Sequence, residues 1–484
     1  MINVIAAQSQ RRTAALIVSA AGLLVSLAPF IWKNQHLSDT NIVLALALAW
    51  VALVPGFLHL MRVDNAPMPF AALVGFYYLI FFSLPVFFFD PAHWQSDQYP
   101  DGRRYGLRAT HVSEMAQLLL IVGLTSLLAA YYAARRWLER LPFWLRLPRG
   151  FATGRLRLLA WILIVAYFAW AFVSIFHRLP SLGQLLQKTT PIAIGLLLIC
   201  TWRREITIKE KILLLLGVLP AVFAMIVSSG LTTDLILITS YLTILMYYYN
   251  IRLFFLPVII CAAFMIFLYP ALASFRIASW SDHAPSLSLA KRVAMPIEIA
   301  WDRWIDKRRN VGDPLVPVVR RVSIGAVTFS DVVERTPGDV PLLRGESYRP
   351  LLTGFVPRIL WPGKPEERFG QIFGHRYRYV ALDDRTTSWS TPWITEAYAN
   401  FGAAGMVVAM ALIGGFLAFA SRFLNAAEMT PTEFAVGAAL LFPLAYQASN
   451  LSVMVSNLPM IVGAVWLFFW VGLRPGARPG RHFA

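Results

Sequence analysis

The sequence predicts an all-α polytopic membrane protein with about 12 transmembrane helices and one large, mainly helical periplasmic loop between helices 9 and 10. The chain is 58% hydrophobic, its mean hydropathy is +0.60, and only 14% of its residues are charged. Its apolar runs have the roughly 17–25 residues that a helix needs to cross a bilayer. Polar residues concentrate in one segment, 276–390, which holds 18 of the 43 Lys and Arg residues.

The predicted spans follow from the apolar runs in chain order. They are 13–31, 41–61, 69–88, 113–132, 158–176, 183–202, 212–229, 235–249, 253–272, 395–419, 435–450 and 457–473. The runs 183–202 and 435–450 are the weakest, because the first includes Gln184, Gln187 and Lys188. The chain then divides into helices 1–9 (1–272), the large loop (273–394), and helices 10–12 with a basic tail (395–484), which together form one integrated membrane domain.

Lys and Arg in the short loops set the predicted orientation. The stretch 135–157 has seven Arg residues against one acid, Glu139, and the arginines of 203–204 and 474–481 fall on the same side. Alternation of the spans then puts both termini in the cytoplasm and 276–390 outside. The net charge of +17 follows from these loops, so we expect contact with anionic membrane lipids and no nucleic-acid partner.

Two helices are predicted at the start of the large loop. Segment 286–310 has apolar residues at helical spacing, and it either lies on the membrane surface or packs on the loop's own core. Segment 315–335 is the second, and it ends at Thr336-Pro-Gly-Asp339. A short third helix is predicted at 347–356.

Three cations stand close together after these helices. Arg349, Arg358 and Lys364 lie within sixteen residues, and each adjoins a proline or glycine. Rigid backbone can fix a cationic side chain, and Arg and Lys are the usual partners of phosphate oxygens. The pattern fits a diphosphate site, and it equally fits a solvated loop held by salt bridges. Arg276, just after a predicted span, is either a snorkelling interfacial arginine or a further phosphate contact.

Glu396 is the carboxylate that the sequence singles out. It begins the predicted helix 395–419, where the helix dipole favours a negative charge. Its position at the membrane edge also fits a general base for an attacking hydroxyl. His375 is a second candidate proton acceptor, and Arg376 and Arg378 beside it are candidate substrate contacts.

Aromatic residues in the same region are candidates for stacking on sugar rings. They are Tyr348, Trp361, Trp389, Trp393 and Tyr398, and an interfacial aromatic belt is the alternative interpretation, which is the better one for Trp393. Metal and cofactor sites are not predicted: Asp383 and Asp384 lack further ligands at metal spacing, and the only cysteines, Cys200 and Cys261, lie in predicted spans.

Three strings in 345–402 carry a resemblance to a known family. They are Gly345-Glu-Ser-Tyr348, then Pro357-Arg358-Ile-Leu-Trp361-Pro-Gly-Lys364-Pro, then Glu396-Ala-Tyr398-Ala-Asn400-Phe-Gly402. Their order, and the large outward loop after the ninth span, resemble the O-antigen polymerases (Wzy type) and related oligosaccharide repeat-unit polymerases, which are themselves similar to O-antigen ligases. The detailed likeness covers about 60 residues, and no second Arg-bearing loop matches the family pattern.

The resemblance implies a metal-independent transfer between undecaprenyl-diphosphate-linked glycans at the periplasmic face of a bacterial inner membrane. Arg358 and Lys364 would bind the diphosphate, Arg349 would support them, and Glu396 would bind or activate the acceptor. A chain-length regulator is a candidate partner. An O-antigen ligase, a lipid-linked glycan transporter or flippase, and an assembly subunit are the alternatives. Because the predicted spans are nearly free of charge, the sequence favours an enzyme over a transporter.

Overall fold

The computed structural model describes residues 4–31, 34–61, 66–94, 97–98, 104–173, 182–280, 288–305, 313, 315–356, 360–361, 363–364 and 367–474. The first eleven α-helices are α1 (Val4–Ile31), α2 (Asp39–Leu60), α3 (Phe70–Tyr78), α4 (Leu84–Phe87), α5 (Glu114–Leu138), α6 (Thr153–Phe172), α7 (Leu182–Trp202), α8 (Ile208–Ile212), α9 (Leu219–Ser229), α10 (Thr232–Tyr248) and α11 (Leu256–Trp280). The others are α12 (Leu289–Trp304), α13 (Leu315–Arg335), α14 (Pro350–Thr353), α15 (Phe369–Arg376), α16 (Trp393–Leu424), α17 (Pro431–Leu441), α18 (Leu451–Val455) and α19 (Leu458–Leu473).

Shorter elements complete the chain. Wider, π-helical turns at Leu79–Ser83 and Leu213–Val218 join α3 to α4 and α8 to α9. The 3₁₀ turns are Pro91–His93, Glu346–Tyr348 and Phe442–Ala445. Strands β1 (Asp97–Gln98) and β2 (Arg104–Tyr105) form one antiparallel pair of two residues each.

Within the described residues, eight helices are long and apolar enough to cross a membrane. They are Asp39–Leu60, Phe70–Phe87, Glu114–Leu138, Thr153–Phe172, Leu185–Trp202, Ile208–Ser229, Trp393–Leu424 and Leu451–Leu473. Shorter apolar helices occupy Ala15–Pro29, Leu256–Leu272 and Pro431–Ala445. The prediction of a helical membrane protein is confirmed, whereas the count of about 12 spans stays a prediction.

Arginines of the short loops collect at one end of the helix bundle, here called the arginine-rich end (135–157, 203–205 and 422–433). Arg157 donates to the Glu205 carbonyl at 2.7 Å, and Arg422 donates to the Leu141 carbonyl at 2.6 Å. These bonds join loops that lie far apart in the sequence, so the cations share one end of the molecule.

The polar insertion lies at the opposite end, here called the insertion end. Helix α13 packs against Leu79–Ser83, α4, and the start of both α5 and α16. The Ser113 N–H donates to Ser330 Oγ at 2.8 Å, which joins the first turn of α5 to α13. Helices α12 and α13 occur where the sequence predicts helices at 286–310 and 315–335. The predicted third helix at 347–356 is shorter, with a 3₁₀ turn followed by α14.

Two helices near the insertion end are interrupted where the sequence predicts continuity. Gly402 has φ 68° and ψ −167°, so α16 breaks between its first turns and its long membrane part. The predicted span 435–450 ends instead at the 3₁₀ turn Phe442–Ala445, and 446–450 is not helical. Proline at 443 and the polar side chains of Gln447, Ser449 and Asn450 account for the break. Non-helical backbone at membrane depth must be satisfied by the protein or line a cavity.

Candidate functional site

A cavity of about 870 Å³, here called the polar cavity, opens between the insertion and the membrane helices. Its charged lining residues are Lys188 of α7, Asp234 of α10, Arg349, Lys364 and Glu367. Hydroxyl and amide groups add to its polar wall, among them those of Ser449, Ser452, Ser456 and Asn457. The cavity therefore joins three cations and two carboxylates from four separate parts of the chain.

Arg349 and Lys364, two of the three cations predicted to act together, both line this cavity. Arg349 follows a 3₁₀ turn and precedes Pro350, the first residue of α14, so its backbone position is fixed. No hydrogen bond or ion pair from another described residue reaches its guanidinium, which is exposed to the cavity. Arg358, the third predicted cation, lies outside the described residues.

Lys364 binds the backbone that follows α14, and residues 349–356 together with Lys364 are here called the cation-bearing turn. The Lys364 Nζ donates to the carbonyls of Gly354 at 2.6 Å and Val356 at 3.0 Å. A Cβ at Gly354 would stand 1.9 Å from the Ser456 Cβ, so only glycine fits where α14 meets the end of α18. This close approach seats the turn directly on the membrane helices.

Glu367 is a cavity residue that the sequence analysis did not single out. Its Oε1 accepts a hydrogen bond from Asn450 Nδ2 at 2.6 Å and another from the Ser452 hydroxyl. Both donors flank the first residue of α18. The insertion thus places a carboxylate at the end of the non-helical segment 446–450, on the cavity surface.

Glu396 holds the same helix start from the other side. It is fully buried in the first turn of α16, and its Oε2 accepts the Leu451 N–H at 2.7 Å. Its Oε1 accepts no hydrogen bond of good geometry within the described part of the chain, and the Ser347 side chain lies beside the carboxylate. The carboxylates of Glu396 and Glu367 are close enough to interact electrostatically. Glu396 lies behind the cavity wall, whereas Glu367 forms part of it.

The break at Gly402 allows the insertion to bind the first turns of α16. The N–H groups of Leu343 and Arg344 donate to the carbonyls of Ala399 and Asn400 at 2.9 and 3.0 Å. Asn400 also accepts the Gly345 N–H at 2.9 Å through its side chain. Carbonyls near a helix end lack intrahelical partners, and here the insertion supplies them. This contact fixes the segment that leads to Arg349.

Tyr348 and Tyr398, the predicted stacking tyrosines, are both packed inside the protein. The Tyr348 ring stacks on Phe401 at 5.9 Å, and burial, together with the nearby Glu396 charge, raises the pKa of its hydroxyl. Tyr398 donates to the Thr336 carbonyl at 3.3 Å and packs edge-on against Phe329. Neither tyrosine lines the polar cavity, so the structure assigns both to the contact between α16 and the insertion.

Arg276 also lies apart from the cavity. Its Nε and Nη2 donate to the Gly230 carbonyl at 3.0 and 2.8 Å. Gly230 ends α9 with a φ of 69°, so the guanidinium caps that helix.

His375, Arg376, Arg378 and Trp361 lie away from the polar cavity as well. His375 Nε2 donates to the Asp384 carbonyl at 2.9 Å, and Arg376 donates to the Pro341 carbonyl at 3.0 Å. Arg378 and Trp361 are exposed on the insertion. Their predicted substrate contacts stay predictions that the cavity geometry does not favour.

Sequence reasoning missed Lys188, Asp234 and Glu367. A signal for Lys188 was present, because a charge inside an apolar run is often functional. The Ser, Asn and Gln residues of 446–457 were a similar signal in the sequence for the non-helical segment 446–450. Among the described residues, no group of three His, Cys, Asp or Glu side chains is placed to hold a metal ion.

The fold and the site together define a helical membrane protein in which a charged insertion covers a cavity between the helices. The family model described as "Domain of unknown function (DUF8712)" matches residues 150–451. The match covers more than half of the chain, so the chain belongs to this family. It includes every charged residue of the polar cavity. No curated protein and no solved structure matches the chain.

Proposed function

We propose that the protein is a glycosyltransferase that polymerises undecaprenyl-diphosphate-linked oligosaccharide repeat units into O-antigen or exopolysaccharide. The reaction takes place at the periplasmic face of a bacterial inner membrane. The observation that carries the proposal is the convergence of Arg349, Lys364 and Glu367 on one cavity between membrane helices. A lipid-linked sugar diphosphate presents an anion, a polar glycan and an apolar tail, and this cavity offers a surface for each.

The cations stabilise the departing diphosphate. Arg349 can present a bidentate pair of N–H donors to phosphate oxygens, and Lys364 adds a point charge at the other end of the same turn. Groups fixed in advance around a developing charge lower the barrier without reorganising during the reaction. Because Arg349 has no protein partner among the described residues, it is available for this contact.

Glu367 acts as the general base in this mechanism. It takes the proton from the acceptor sugar hydroxyl while that oxygen attacks the anomeric carbon of the donor. A new C–O glycosidic bond forms, the bond from the anomeric carbon to the diphosphate oxygen breaks, and its electron pair leaves with the lipid diphosphate. Glu396, which lies behind the wall, positions α18 so that Asn450 and Ser452 hold the Glu367 carboxylate.

Deleting the gene tests the function. Loss of a polymerase leaves single repeat units where a ladder of polysaccharide was present. Loss of an O-antigen ligase leaves long chains on the lipid carrier, and loss of a flippase leaves repeat units on the cytoplasmic side. A deletion strain with a normal ladder contradicts the proposal.

Single substitutions test the assigned roles with purified lipid-linked repeat units. We expect Arg349→Ala to lower the transfer rate by about 100-fold, since it removes a donor to the leaving group. We expect Glu367→Gln to lower it by roughly 10²–10⁴-fold. Arg385→Ala, exposed on the insertion outside the cavity, and Glu428→Gln at the arginine-rich end are the matched controls. Full transfer by both site variants, expressed normally, contradicts the assignment.

A transporter of lipid-linked glycans is the second candidate function, and one observation favours it. Lys188 in the membrane helix α7 and Asp234 in the first turn of α10 place charges beside a helix that is broken at 446–450. Discontinuous helices and charges within the bilayer are common at transporter sites. Repeat units that accumulate on the cytoplasmic side of the deletion strain favour this function over polymerisation.

A further inference from the structure

A second, mainly apolar cavity adjoins the polar cavity and shares part of its wall. It measures about 250 Å³ and is lined by residues of α6, α7, α9, α10 and α17. Lys188, Asp234 and Pro443 line both cavities. The charges of Lys188 and Asp234 interact, and they stand at the junction. The two cavities therefore adjoin at these residues, and Arg349 and Lys364 line the polar one.

Most of the surface of the apolar cavity is apolar, as a site for a hydrocarbon chain requires, although Tyr167, Thr190, Ser229 and Tyr241 also line it. Trp170, Val222, Met225, Ile226 and Phe442 contribute to its wall. Apolar side chains of the flanking helices, Phe172 on α6 and Phe223 on α9, are exposed on the outer surface of the bundle. A chain held in the cavity would thus lie beside helices whose outer faces suit lipid.

We infer that the two cavities form one binding site for an isoprenoid diphosphate, with the diphosphate between Lys188, Arg349 and Lys364 and the first isoprene units in the apolar cavity. The inference rests on the proposed function for the identity of the headgroup. It adds Lys188 as a headgroup contact from a membrane helix and assigns the apolar cavity to the tail. Charge supports this occupant, since the three cations of the polar cavity outnumber its two carboxylates, Asp234 and Glu367, and leave a net positive charge beside the apolar cavity.

Adjacent serines on α9 provide a matched pair of variants. Ser229 lines the apolar cavity, whereas Ser228 does not. Both are partly buried, and both hydroxyls donate to the carbonyl three residues earlier, Ile226 for Ser229 and Met225 for Ser228. Phenylalanine at 229 would fill the cavity, and phenylalanine at 228 adds the same bulk elsewhere.

The experiment measures binding of inorganic diphosphate, geranyl diphosphate and farnesyl diphosphate to the full chain in nanodiscs, with empty nanodiscs as the blank. We expect affinity to rise with chain length, by up to roughly fourfold per buried CH₂ group. Ser229→Phe should remove this rise and leave inorganic diphosphate binding unchanged. Ser228→Phe should keep it. Lys188→Gln should weaken all three ligands by a similar factor of about 10.

Any one of three results would overturn the inference. These are a wild-type protein that binds all three ligands equally, a Ser229→Phe variant that keeps the rise, or a Ser228→Phe variant that loses it to the same extent. The gene deletion separates this site from the proposed function. If the deletion strain keeps a normal polysaccharide ladder and affinity still rises with isoprenoid chain length, the polymerase is rejected and the lipid site is kept. If the ladder is lost and affinity does not rise with chain length, only the lipid site is rejected.

Discussion

The buried Glu396 carboxylate stabilises the fold through a hydrogen bond to one of its two oxygens. Its Oε2 accepts the Leu451 N–H at 2.7 Å, at the point where the non-helical segment 446–450 gives way to α18. That N–H has no intrahelical partner because it belongs to the first turn of a helix. The carboxylate therefore satisfies a backbone donor that the helix break creates.

Removing this acceptor should destabilise the protein. We expect Glu396→Ala to lower the free energy of unfolding by about 1–3 kcal/mol, because it leaves the half-buried Leu451 N–H unpaired. Glu396→Gln keeps an oxygen that can accept the bond and should lose less. Thermal unfolding of the purified variants measures the difference. Equal stability of the alanine and glutamine variants would contradict this role.

Asp384 is a second residue whose environment sets its charge. Burial alone would raise its pKa, but hydrogen bonds from Thr387 and Thr386 outweigh it and hold the pKa at about 2. A folded pKa below the ordinary value of 3.8 stabilises the fold at higher pH, and this stability is lost as pH falls through the folded pKa. The side chain is partly exposed, so its contribution is under about 1 kcal/mol.

Asp384→Asn tests this turn by its pH dependence. We expect the variant to unfold at a lower temperature than the wild type near pH 6, because the amide accepts fewer of the threonine bonds. The difference should shrink between about pH 4 and pH 2, where the wild-type carboxylate becomes protonated. A difference that stays constant across this range would show that the charge of Asp384 does not stabilise the turn.

At the scale of elements, the break in α16 divides the helix into two parts that contact different partners. The turns before Gly402 bind the insertion through Ala399 and Asn400, and the turns after it pack on α5. That packing is close, since a Cβ at Gly414 would lie 2.2 Å from the Leu127 carbonyl oxygen. The break lets the first turns face the insertion while the long part stays against its membrane neighbour.

Two glycines of α16 make this argument testable. Gly402 has a positive φ, and a Cβ there would make only an ordinary contact with Leu342 Cδ2 at 4.0 Å among the described residues, so Gly402→Ala should destabilise through backbone strain of about 1–3 kcal/mol. Gly415 has open space but keeps helical backbone, so Gly415→Ala should be neutral or stabilising by about 0.5–1 kcal/mol. Thermal unfolding compares the two. A loss of similar size in both variants would mean that the break does not depend on the glycine.

At the scale of the whole molecule, charge separates the two ends of the bundle. The arginine-rich end carries Arg157 and Arg422, and the insertion end carries the polar cavity. Short loops rich in Arg stay in the cytoplasm. We expect a periplasmic reporter fused at residue 300 to be active and the same reporter fused at residue 425 to be inactive. A cytoplasmic signal at 300 would contradict the proposed mechanism.

The sequence predicted those parts of the site that depend on neighbouring residues. Arg349 and Lys364 adjoin Pro or Gly in one short segment, and they do share a cavity. Contacts between distant segments could not be predicted. Nothing local marks Gly230 as the partner of Arg276, or Thr336 as the partner of Tyr398. The sequence predicts that the span 435–450 continues through 446–450, which is not helical, because the apolar residues of that run outweigh its polar ones.

Glu367 and Glu396 both accept hydrogen bonds from the start of α18, and this has a consequence for protein engineering. The insertion contributes one carboxylate and the membrane domain the other, and both bind residues 450–452. An excised soluble fragment covering 276–390 would lose the partners of Glu367 and the surface on which α13 packs. A chimera that exchanges this loop between family members should therefore carry residues 446–457 with it.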